Sequence, residues 1–109
     1  MIDDLAEPSA AEFDLPRVLA ALADRHRLAI VQFVDAHGES WCSRVMQDAG
    51  LEMSKSTFSH HLRILRLAGI VTKRHEGTKG YMGLRKDDLD SRFPGLIGSI
   101  LSADVEAVR

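Results

Sequence analysis

Residues 54–71 read Ser-Lys-Ser-Thr-Phe-Ser-His-His-Leu-Arg-Ile-Leu-Arg-Leu-Ala-Gly-Ile-Val, and this stretch decides the fold. Ser54 is a good N-cap, because its hydroxyl can accept an otherwise unpaired N–H of the first turn. Gly69 is a natural stop. Lys55 to Ala68 therefore reads as a helix. Phe58, Leu62, Leu65 and Gly69 share one face of it, with His61 and Ile64 beside them. The opposite face holds Ser56, Thr57, Ser59, His60, Arg63 and Arg66.

A shorter helix, Trp41 to Ala49, is expected just before, ending at Gly50. Two short helices joined through a glycine turn make a helix-turn-helix arrangement. The second helix of such a pair can enter the DNA major groove with its N-terminal residues at base edges. Lys55, Ser56, Thr57, Ser59, His60 and Arg63 suit that task. The hydroxyls and the imidazole hydrogen-bond bases or phosphates, and Arg63 can take a guanine in bidentate fashion. His61, turned toward the core, reads as a packed, hydrogen-bonded histidine.

After Ala68 the period changes. Residues 71–75 are extended, 76–79 form a turn, and 80–84 return, giving a two-stranded basic hairpin. Its Lys73, Arg74 and Lys79 are expected to meet phosphates, which position a protein on DNA while base contacts specify the sequence. Tyr81 is expected to pack on the 55–68 helix or to touch a sugar.

Toward the N-terminus, Leu15, Val18, Leu19 and Leu22 form one helical stripe, and Pro16 suits a first turn. Asp24 caps a second helix over about 25–36, apolar over a wide arc and hence central. Residues 1–11 read as a flexible tail, with 12–109 as the domain. Toward the C-terminus, residues 87–103 are helical with a break near Pro94, and the acidic residues 87–90 favour a helix N-terminus. The expected class is α+β: a mainly helical winged helix-turn-helix with a two-stranded wing.

Charge supports this placement. The 109-residue chain has a formal net charge of −2. Residues 1–54 sum to −6, residues 55–86 to +7 and residues 87–109 to −3. A cationic block within an acidic chain marks a local patch for a polyanion. A winged-helix protein-interaction module without specific DNA binding is the alternative; it has no reason to gather cations on that helix and hairpin. Catalysis is not expected, since there is no Gly-rich phosphate loop, nucleophile elbow or HExxH. The single cysteine, Cys42, fits a reducing cytoplasm. No apolar run is long enough to span a bilayer.

Residues 54–71 resemble the recognition segment of ArsR/SmtB-type winged-helix repressors. Ala21-Leu-Ala-Asp-Arg-His-Arg-Leu-Ala-Ile looks like the start of that family's second helix, and the Glu76-Gly77 hairpin ending in Tyr81 looks like its wing. The resemblance covers about residues 15–86. It implies a homodimer joined through the first and last helices, and repression of a palindromic operator on double-stranded DNA, relieved by an inducer. It makes Lys55, Ser56, Ser59 and His60 groove contacts, with Thr57 and Arg63 as additions.

The family's sensing pattern departs here. Metal sensors of this type often carry Cys-x-Cys in the third helix, where this chain has Trp41-Cys42-Ser43. Others use Asp and His pairs in the last helix, and residues 87–109 contain no His. No complete four-ligand zinc site is legible, so no metal is assigned. A composite site across a dimer, drawing on His26, His37 or His75, stays open as the metal alternative. Cys42 reads first as a small core thiol; the sharper reading is a sensor thiol, its pKa lowered near a helix N-terminus if exposed.

Overall fold

The computed structural model describes residues 6–103. A 3₁₀ turn at Ala10–Glu12 leads into α1 (Leu15–Leu22) and α2 (Arg25–His37). β1 (Ser40–Trp41) precedes α3 (Cys42–Asp48) and α4 (Lys55–Leu67). The hairpin β2 (Val71–Glu76) and β3 (Lys79–Leu84) follows, then α5 (Lys86–Arg92) and α6 (Leu96–Ser102).

Each helix starts where the local chemistry allows. Asp14 caps α1 by accepting from the Arg17 N–H, and Pro16 sits in its first turn. Asp24 caps α2, accepting from His26 and Arg27 N–H at 2.9 and 3.0 Å. Ser54 caps α4 through the Thr57 N–H at 3.1 Å. Asp87 and Asp88 lie in the first turn of α5, where negative charge is favoured. The break between α5 and α6 falls at Phe93–Gly95.

The core is one cluster around α2, whose Ile30, Val31 and Val34 are buried. Val18 and Leu22 of α1, Val45 of α3, and Phe58, Leu62 and Leu65 of α4 pack on it. Val71 and Met82 of the hairpin, Leu89 and Ile97 close it. Burying a large aliphatic side chain stabilises by about 1.5–3 kcal/mol, so this cluster is what holds α4 in place.

Gly69 ends α4 at φ +86°, a conformation that side chains resist. A Cβ there would come within 2.2 Å of the buried Phe13 ring. The backward turn from α4 into β2 therefore needs glycine on two grounds.

The structure departs from the sequence expectations in three places. The wing hairpin is joined by a third strand: β1 pairs antiparallel with β3, Ser40 opposite Met82 and Trp41 opposite Tyr81. Trp41 thus belongs to a strand, and α3 begins at Cys42. Two residues carry no readable period, which is why this strand is invisible to pattern reading. Arg66 is not on the open face of α4 but buried, as described below. Finally, residues 7–13, mostly assigned to a flexible tail, are held by the domain. Arg85 Nη1 donates to the Pro8 carbonyl at 2.6 Å, Arg92 bonds the Ala10 carbonyl, and Phe13 is in the core.

Candidate nucleic-acid interface

α3, the turn containing Gly50, and α4 form the helix-turn-helix. One side of α4 is glued down by Phe58, His61, Leu62, Leu65 and Arg66. Its remaining side presents Lys55, Ser56, Thr57, Ser59, His60 and Arg63, all exposed. The structure therefore brings these six expected residues onto one surface, mostly over the first two turns. Ser54 Oγ bonds Thr57 Oγ1 at 3.0 Å and lies 3.2 Å from Ser56 Oγ, which orders the N-terminal hydroxyls. Among the described residues, Lys55, Ser59 and Arg63 side chains have no protein partner.

The wing cations stand differently. Arg74 is exposed, yet its guanidinium is held by Glu39, with Nη2 to Oε1 at 2.8 Å and Nε to both carboxylate oxygens at 2.9 Å. Its Nη1 bonds Glu76 Oε2 at 3.0 Å, and its Cζ lies 4.5 Å from the Tyr81 ring centre. The hydrogen bond from Arg74 holds the Glu39 carboxyl below its usual pKa. Lys79 Nζ lies 3.5 Å from the centre of the Trp41 ring. Trp41 and Tyr81 meet edge to face at 6.0 Å. Tyr81 therefore packs on Trp41 of β1 and on Arg74. Lys73, in β2 opposite Met82, is half-buried.

Between helix and wing lies a joint that the sequence did not disclose. Glu7 reaches across both. Its Oε2 takes Arg66 Nε at 2.7 Å and the Lys73 N–H at 3.0 Å, and its Oε1 takes the Thr72 hydroxyl at 2.5 Å. Burial works against the Glu7 carboxylate, but the hydrogen bonds from Thr72, Arg66 and Lys73 outweigh it and hold its pKa below the usual range. The partners are 59 to 66 residues away in sequence, so no local pattern could have found them.

Two further expectations resolve. His61 is buried, and its Nδ1 lies 3.1 Å from Arg27 Nη1, the packed and hydrogen-bonded histidine anticipated. Cys42 opens α3 but is half-buried, and burial pushes its pKa up despite nearby Lys73 and Arg66.

With the geometry in place, similarity to known proteins is informative. A family model described as a helix-turn-helix domain matches residues 22–74, from the end of α1 into β2. The chain is 31% identical over 85 residues to the uncharacterized HTH-type transcriptional regulator YceK of Bacillus subtilis (strain 168), covering 77% of this chain and 83% of that protein. It is 36% identical over 81 residues to the cadmium resistance transcriptional regulatory protein CadC homolog of Staphylococcus aureus, covering 74% of this chain and 64% of that protein. The solution structure of a homodimeric winged helix-turn-helix DNA-binding domain from Mycobacterium bovis, described as a "possible ArsR-family transcriptional regulator", superposes with a TM-score of 0.64. It shares 30% identity, covering 79% of this chain and 76% of that one. Fold, site and relatives define a DNA-binding transcriptional regulator of the winged helix-turn-helix class. Within that class the chain belongs to the ArsR family. Among the described residues no helix is long and apolar enough to cross a membrane.

Proposed function

We propose that this regulator is a cytoplasmic repressor that binds an imperfectly palindromic operator as a homodimer and acts without catalysing a reaction. The observation that carries the reading is the exposed side of α4, on which the Lys55, Ser59 and Arg63 side chains have no partner among the described residues. Lys55, Ser56, Thr57, Ser59, His60 and Arg63 contact the major groove. Lys73, Arg74 and Lys79 steady the domain on flanking phosphates. Arg74 must exchange Glu39 and Glu76 for phosphate to do so.

Dimerisation is supported by α1. Leu15 and Leu19, one turn apart, are 40% and 44% exposed although their neighbours Val18 and Leu22 are buried. A short exposed leucine pair on α1, together with half-buried Ile100 and Leu101 on α6, suits a shared helical interface. The M. bovis neighbour is homodimeric, which supports the same state here. Two recognition helices would then fall about one turn of DNA apart, roughly 34 Å. An effector releases the operator; the cadmium-resistance name of one relative points to metal ions as the first class to test.

Selection of bound duplexes from a random pool, followed by a salt titration, tests this reading. If each protomer neutralises about three to four phosphates, the dimer's log–log slope is near −6. A slope near zero, or no enriched inverted repeat, would reject it.

A further inference from the structure

The DNA-facing side of α4 does not use His61, which points the other way, toward the start of α2. Three donors meet there. Asp24 Oδ1 holds the His26 and Arg27 N–H groups, while Oδ2 lies 3.9 Å from Arg27 Nη1. His26 Nδ1 is 3.9 Å from Asp24 Oδ1, and the His26 and His61 ring centres are 5.8 Å apart. One ligand atom from each of Asp24, His26 and His61 lies within 4.8 Å of the other two. Two imidazoles and a carboxylate suit zinc, nickel or cobalt, which bind such atoms at about 2.0–2.2 Å. Donors this far apart must draw together to hold an ion, and His26, the most exposed of the three side chains, has the most room to move.

We propose that Asp24, His26 and His61 bind one divalent transition-metal ion, with water completing the shell, and that occupancy is coupled to the DNA-binding helix. The coupling clause rests on the regulator reading above; the site itself does not. Cys42 takes no part, so this is not a thiolate site.

The group opposing the ion is Arg27. A guanidinium can only donate, so His61 Nδ1 accepts from Arg27 Nη1 and its ring proton sits on Nε2. An ion at Nδ1 must displace Nη1, while Arg27 Nε keeps its 2.7 Å bond to the Ala21 carbonyl. His60, whose ring centre is 6.2 Å from that of His61, adds no carboxylate to offset the charge. With three protein ligands and a cation to move aside, the site binds its ion far more weakly than closed four-ligand sites do. Displacement exchanges the Arg27–His61 tie between α2 and α4 for a metal bridge. That exchange is the route by which the ion reaches the recognition helix, and linkage makes the effect reciprocal.

The untagged chain, free of DNA, is titrated with Co²⁺ by absorption and with Ni²⁺ by calorimetry, alongside His26→Ala and His61→Gln. His26 is at the surface, so His26→Ala keeps the fold, checked by its melting temperature. The expected result is one ion per chain, weakened at least about tenfold in each variant, with Co²⁺ broadening the imidazole signals of His26 and His61 before those of His37, His60 and His75. Unchanged affinity in His26→Ala, or first broadening elsewhere, overturns the site. Saturating Ni²⁺ is expected to shift operator affinity by at least about fivefold in the wild type and not in His26→Ala; an unmoved wild-type affinity overturns the coupling. The metal-free chain's DNA binding separately tests the regulator reading.

Discussion

The recognition helix and the wing carry similar cations in opposite states. On α4, Lys55 and Arg63 stand in solvent with no protein partner among the described residues. On the wing, Arg74 is clamped by two carboxylates and Lys79 lies on Trp41. A charge without a partner keeps its full attraction for a phosphate or a guanine. A paired one must first give up its partner, so its net gain on DNA is smaller. Counting cations in sequence, as the +7 of residues 55–86 does, treats the two regions alike. The structure separates a helix that is ready from a wing that is restrained.

The severest way to break the comparison is to uncouple the two regions. Glu7→Ala removes the carboxylate shared by α4 and β2 and leaves Arg66, 7% exposed, in a poorly solvated position. Breaking one side of a buried ion pair is costly, and the partial exposure of Glu7 moderates it. The expected loss is about 3 kcal/mol, read from denaturant unfolding. Acid should do the same more gently. The folded-state pKa of Glu7 is depressed, so its stabilisation is full above the unfolded value, about 4.3. It disappears as pH falls through the lower folded value. In Glu7→Gln that part of the acid sensitivity should be missing; an unchanged acid-unfolding profile would remove Glu7 from the joint.

Arg63→Ala addresses the ready side of the comparison. Operator binding should weaken by roughly 1–3 kcal/mol if Arg63 reads a base, while unfolding stays within about 0.5 kcal/mol of wild type because nothing among the described residues holds this side chain. Equal weakening on unrelated duplexes would move Arg63 from base to phosphate. Unchanged binding to all DNA would take it off the interface.

The sequence was legible where information is local. Caps at Asp24 and Ser54, the stop at Gly69, the apolar face of α4 and the β2–β3 hairpin each depend on residues within a turn or two of one another. The exposed side of α4 was legible for the same reason: helix period alone puts Lys55, Ser59 and Arg63 away from Phe58 and Leu62. What failed was long-range polar pairing. Arg66 has the helical phase of an edge residue and lies buried, where Glu7 comes back to meet it. Arg74 reads in sequence as an open cation, and its pairing with Glu39, from the chain just before β1, has no local mark. Neither partner is marked by a period, and neither β1 nor the packed segment before α1 is long enough to have one.

Glu39→Gln tests the restrained side and carries the smallest effect. The substitution keeps the shape of the residue and removes its charge, so Arg74 loses its strongest holder while Glu76 and the Tyr81 face remain. The Glu39–Arg74 pair is exposed, and such pairs contribute about 0.2–1 kcal/mol, so folding stability should scarcely move. DNA binding should tighten a few-fold, through both the freed guanidinium and the loss of a negative charge beside phosphate, and the salt slope should steepen by up to about 1 per protomer. The double variant Glu39→Gln/Arg74→Ala separates these causes. If the gain requires Arg74, it should vanish there; if it survives intact, the gain comes from the lost negative charge, Arg74 is a structural tie to the segment before β1 and not a phosphate contact, and the contrast between the two regions is sharper still.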